Sequence, residues 1–325
     1  MYEREKNLKS LFTRIAVVLL FLILFFNIYS IAYVGCDLLI TAFPSVIWVE
    51  CAADLFCSFL YLLSFLAPVW IFYGLSQGKE AQAVDFSVTL PCSHTFFKTI
   101  SILFVSLGTI IAASYLNSWL IPSFSSTGSV EIDHPYQLVL LMFSSAVIPA
   151  FAEELLFRGV ILANLKPFGK GMAVLVSALL FGLMHMNLSQ FFYATVAGVV
   201  LGLVYMATNS LWLCILIHFA NNMFSVLENY VFQIVPSQRA GLICMLAELV
   251  IFAVGLLSAL IYWLTKKQGR HTERKTAIFG LDTGVRNLVE GHRVAKLFFC
   301  PAMIVYVISA VVNMVYVLLA QYGAS

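Results

Sequence analysis

Polar residues in this chain are gathered between long apolar runs. Nine runs lie near 15–34, 51–73, 99–121, 137–165, 172–188, 190–207, 211–231, 242–265 and 297–320. Each reaches, or nearly reaches when packed among neighbours, the ~20 residues an α-helix needs to cross ~30 Å of hydrocarbon. The pattern predicts an all-α fold, a polytopic transmembrane helical bundle of about eight or nine spans. Three parts are expected: a three-span membrane region over 1–136, a four-span core over 137–231, and a two-span region over 232–325 with a basic cytoplasmic loop.

Composition excludes a soluble alternative. Of 325 residues, 62% are hydrophobic and only 10% charged, whereas a soluble domain carries about 25% charged residues. The basic residues then set an orientation. Arg4, Lys6, Lys9 and Arg14 precede the first span, Lys79, Lys98, Lys166 and Lys170 sit in the second and fourth connections, and eight more lie between Lys266 and Lys296. All of these fall on one side, 16 of the 18 Lys and Arg, so the positive-inside bias predicts a cytoplasmic N-terminus. The segment Ser123–Pro135 has Glu131 and Asp133 but no Lys or Arg, as an outer loop would. The first run is long for a signal-peptide core and is expected to remain as a span. The seven cysteines are scattered without a CxxC pair and are expected to pack as small apolar residues. Gly198 and Gly202 form a GxxxG step, which predicts a close helix contact.

Against that background the stretch Phe151–Val160, FAEELLFRGV, is out of place. A charge at membrane depth costs roughly 2.5–3.5 kcal/mol on insertion scales, so each one needs a partner or a task. Glu50, Asp54, Glu228 and Glu248 lie near outer helix ends, where water reaches them. Glu153 lies deeper, roughly 18–20 Å from the cytoplasmic end of its span. Glu154 and Arg158 are four apart, so they share a face and form an ion pair. Glu153 points about 100° away and is expected to lack that partner. Pro149 cannot donate to the carbonyl of Ser145, which predicts an opened backbone one turn before Glu153.

Two histidines follow, in Phe181-x-x-x-His185 and His218-x-x-x-Asn222. Counted from the cytoplasmic ends, His185 and Asn222 lie roughly 17–20 Å deep and His218 roughly 10 Å, so all three approach the level of Glu153. His218 and Asn222 share a face, with Asn221 turned away.

The ordered set Glu153-Glu154-x-x-x-Arg158, Phe181-x-x-x-His185 and His218-x-x-x-Asn222 resembles the three-motif signature of the CPBP family. These are intramembrane CAAX proteases and bacteriocin-processing enzymes, also called the Abi family. The resemblance covers Ala150 to Met223 and implies peptide-bond hydrolysis within the membrane. It implies catalytic roles for Glu153, His185, His218 and Asn222, with Glu154, Arg158 and Phe181 in support. Two chemistries fit. In one, Glu153, His185 and His218 bind Zn²⁺, which activates water. In the other no metal is required: Glu153 and His185 activate water, and His218 and Asn222 donate to the oxyanion. An amide is a good oxyanion donor and a poor zinc ligand, which favours the second. The expected partners are a peptide or lipidated protein substrate and membrane lipids, with no nucleic acid. The resemblance is nearer to bacterial members, which implies a bacterial plasma membrane. Two other classes remain open: a non-catalytic scaffold or bacteriocin-immunity protein on this fold, and an ion- or proton-coupled transporter. The complete polar set speaks against the first, and the lack of an inverted repeat against the second.

Overall fold

The computed structural model describes residues 2–43, 46–77, 81, 83–85, 93–120, 132–268 and 297–323. Among the described residues there are nine principal helices and no strand. They are α1 (Tyr2–Ala42), α2 (Ile47–Leu75), α3 (Ser93–Leu120), α4 (Pro135–Phe168), α5 (Lys170–Met184), α6 (Leu188–Thr208), α7 (Leu211–Ile234), α8 (Ser237–Gln268) and α9 (Pro301–Gly323). Eight are long and apolar enough to cross a membrane, and the chain is an integral membrane protein. The basic loop and most of the acidic outer loop expected from the sequence fall outside the described residues.

The exception is α5, and it corrects the fifth expected span. Its 15 residues rise only about 22 Å. The apolar run 172–188 does not stay helical. Met186 takes a left-handed conformation at φ 50°, and Asn187 caps α6 by accepting from the Ser189 amide. This reverses the chain, so α5 packs back along α6. Non-helical backbone at membrane depth survives only when protein or a polar cavity surrounds it, and this turn lines a cleft described below.

The centre of the bundle is α4, which packs against α2, α5, α6 and α7. Every residue from Leu155 to Leu162 is buried. On one flank α1 packs against α2 and α9; on the other α3 packs against α8 and α6. Polar contacts pin several helix ends to one face of the bundle. Arg4 donates from Nη2 to the Phe168 carbonyl at 3.3 Å, Arg14 bonds to the Ser76 hydroxyl, and the Phe12 and Phe298 rings meet edge to face at 5.5 Å.

The GxxxG step packs as its composition predicts. A Cβ on Gly198 would lie 2.9 Å from the Ala178 Cα, and one on Gly202 would lie 3.2 Å from Val174 Cγ1. Gly198→Val is therefore expected to push α6 off α5 at a cost of about 1–3 kcal/mol, read as a lower melting temperature in detergent. An unchanged melting temperature would mean the contact is looser than the geometry indicates.

Candidate active site

The site begins with the irregular winding of α4. Two π-helical segments, Phe143–Val147 and Leu155–Leu162, flank the α-helical turn Ile148–Glu154 that carries both glutamates. Such i→i+5 segments are rare and often accompany function. Pro149 lies in this turn and frees the Ser145 carbonyl, as expected. Asn222 of α7 supplies the missing donor, from Nδ2 at 3.2 Å. Asn221, expected to be turned away, is also part of this arrangement. It donates to the Tyr193 hydroxyl at 2.6 Å and to Asn222 Oδ1 at 3.2 Å, which fixes the amide orientation of its neighbour.

Glu154 and Arg158 pair as their spacing predicts, Nη1 to Oε1 at 2.8 Å, with both side chains fully buried. The guanidinium does more than neutralise. Its Nη2 donates to the Gly198 carbonyl at 3.3 Å, and its plane lies 4.5 Å from the centre of the Phe181 ring. The same ring stands edge-on to His185 at 5.2 Å and to His218 at 5.9 Å. Phe181 thus touches the guanidinium and both imidazoles.

His218 is held by Glu154, a contact that spacing along one helix could not reveal. Its Nδ1 lies 2.8 Å from the oxygen that Arg158 also contacts. Since Arg158 requires that oxygen to be an acceptor, Nδ1 carries the proton and donates. The ring then turns Nε2 toward Glu153 Oε2, 3.9 Å away. His185 is fixed in a similar way, with Nδ1 2.9 Å from the Phe181 carbonyl. It sits in the C-cap of α5 and not inside a span.

Glu153 is left out of the Arg158 pair, as expected, and takes its partner from another helix. The Tyr61 hydroxyl of α2 donates to its Oε1 at 2.6 Å. Its second oxygen, Oε2, is buried with no hydrogen-bond partner among the described residues. One oxygen is anchored and the other faces an imidazole. Tyr61→Phe removes a hydrogen bond to a carboxylate, a contact typically worth about 1.5–3 kcal/mol. It is expected to slow peptide cleavage about tenfold or more, measured as kcat; an unchanged kcat would show that Tyr61 only packs. Nothing in the sequence singled out Tyr61, because aromatic residues are common in these helices and its partner lies 92 residues away.

The expected outer carboxylates stay apart from this cluster. Glu50 accepts from Tyr136 and Gln137, and Glu248 accepts from Tyr115.

A metal ion would need three or four of the site's donors to converge. Both imidazoles have Nδ1 engaged and Nε2 available, the orientation metal-ligating histidines use. Yet among the described residues no three His, Cys, Asp or Glu side chains converge on one point at ligand distance. The side chains as placed do not form a three-ligand zinc cage.

A cleft of about 420 Å³ reaches the cluster from the flank of the bundle, lined by Asn27 and Tyr29 of α1, Tyr61 of α2, His185 and Asn187 of the α5–α6 turn, and Asn313 of α9. No curated protein and no solved structure matches the chain. The family model for type II CAAX prenyl endopeptidases, Rce1-like, matches residues 135–224, from the start of α4 to just past Asn222. Over those residues, which hold Glu153, Glu154, Arg158, His185, His218 and Asn222, the chain is similar to the type II CAAX prenyl endopeptidase family.

Proposed function

We propose that the chain is an intramembrane endopeptidase that hydrolyses a peptide bond in a membrane-associated or lipidated substrate without a metal. The observation that carries this is the pair of unlike oxygens on Glu153. Oε1 is anchored by Tyr61 while Oε2 is buried, unpartnered and 3.9 Å from His218 Nε2. A polar separation of that size suits a bridging water. Glu153, assisted by His185, takes a proton from that water as its oxygen bonds to the scissile carbonyl carbon. The carbonyl becomes an oxyanion, to which His218 and Asn222 donate in this scheme. When the C–N bond breaks, the proton held by Glu153 passes to the departing amine.

With Nδ1 of His218 donating to Glu154, its Nε2 is the nitrogen left to meet the reacting groups. Asn222 keeps one amide N–H on Ser145 and has a second to offer. Glu154 and Arg158 are positioning residues in this scheme. The skew of Lys and Arg supports a cytoplasmic N-terminus.

The test is cleavage of a quenched fluorescent peptide library by the purified protein in detergent, with and without a zinc chelator. Cleavage at the same rate in both conditions is expected. Loss on chelation with recovery on adding zinc would overturn the metal-free mechanism. A folded protein that cleaves nothing, including lipidated peptides, would overturn the hydrolase reading in favour of a scaffold.

A further inference from the structure

The flank cleft is built largely by helices outside the family-matched core. α1, α2 and α9 all precede or follow residues 135–224, yet they bring polar side chains to the site's approach. Asn27 of α1, Tyr61 of α2, His185 at the end of α5 and Asn313 of α9 line the same cleft. Four helices thus present a polar group to one space, in spans where an asparagine facing lipid would be unfavourable.

The two outer asparagines are half used. Asn27 donates from Nδ2 to Ile23 in its own helix at 2.8 Å, and Asn313 donates to Ser309 at 2.9 Å. Among the described residues neither amide has another partner, so each offers one N–H and one carbonyl oxygen to the cleft. The Oδ1 of Asn187, by contrast, is taken up in capping α6.

We propose that Asn27 and Asn313 bind the main chain of the substrate on either side of the approach to Glu153 and His185. The chemistry follows from the solvent. A helix hides its scissile carbonyl, so a substrate segment must unwind before water can attack it. In hydrocarbon each N–H and C=O released by unwinding must find a new partner. A side-chain amide supplies both a donor and an acceptor, matching a peptide group without regard to sequence. The occupant is therefore an extended stretch of polypeptide entering the cleft from the bilayer. This inference rests on the hydrolase reading above.

The experiment separates the two. Fluorescein-labelled apolar peptides drawn from the library are titrated by anisotropy against Glu153→Gln, which keeps the cleft but not the base. The same titration is then made with Asn27→Leu, Asn313→Leu and both added, leucine being well tolerated in a span. Each substitution is expected to raise Kd about 3–10-fold. Peptides N-methylated along the backbone should lose affinity for Glu153→Gln but lose nothing further in the double asparagine variant. Kd unchanged by either substitution would overturn the proposal, as would the absence of any peptide binding. A fall in kcat at constant Kd, measured with Glu153 intact, would also overturn it and mark the two amides as a water path. Failure of the parent to cleave, with binding still dependent on both asparagines, would sink the hydrolase reading and leave the peptide site standing.

Discussion

Glu153→Gln is expected to reduce peptide cleavage by about 10²–10⁴-fold, the usual range for removing a general base. The substitution is nearly isosteric. The glutamine carbonyl still accepts from Tyr61, whose hydroxyl is 2.6 Å from Oε1 in the parent. What disappears is a basic oxygen where Oε2 faces His218. The fold should not suffer. A carboxylate held away from water is costly unless fully paired, and Oε2 has no hydrogen-bond partner among the described residues. The variant is therefore expected to melt no lower than the parent, so lost activity cannot be ascribed to unfolding. A Glu153→Gln protein retaining more than a tenth of parental kcat would remove Glu153 from the role of base.

Arg158→Met is expected to have the largest effect on stability. Arg158 and Glu154 are both fully buried. Removing one partner of such a pair typically costs about 3–5 kcal/mol, because the remaining charge is left uncompensated. Here the loss extends further, since the guanidinium also bonds to the Gly198 carbonyl and lies against Phe181. Arg158→Lys is expected to recover little, because a lysine ammonium cannot reproduce the planar fork. Adding Glu154→Gln to Arg158→Met removes the orphaned charge and should return much of the melting temperature. Activity should not return with it, because His218 loses the carboxylate that orients it. Thermal melting and kcat of the single and double variants form the test. Recovery of both together would mean the pair is structural and has no part in orienting His218.

These two effects differ in how far the sequence foretold them. The Glu154–Arg158 pair was legible because i,i+4 spacing on a helix places side chains together whatever surrounds them. The freed carbonyl of Ser145 was legible for the same local reason, since a proline four residues later cannot donate to it. Its replacement donor was not, because Asn222 lies 77 residues further on in another helix. Tyr61 was missed altogether, for its role depends on how α2 leans against α4. The short α5 was misjudged because its apolar run continues past the point where the helix stops. Apolar composition reports solubility in lipid, not winding, and a methionine gives no signal for the left-handed turn at Met186.

The sequence by itself determined the helical membrane class, the number and rough position of the helices, and the residues that carry charge into the bilayer. Those properties follow from transfer energies and spacing along one helix, which any segment possesses alone. Tertiary structure decided which oxygen of Glu153 is anchored and which is free, that Glu154 serves both Arg158 and His218, and that α1 and α9 wall a polar cleft beside the site. Each of these depends on the relative placement of separate helices, and lipid, being as apolar as leucine, supplies little in the pattern of a single helix to say which neighbour it will meet.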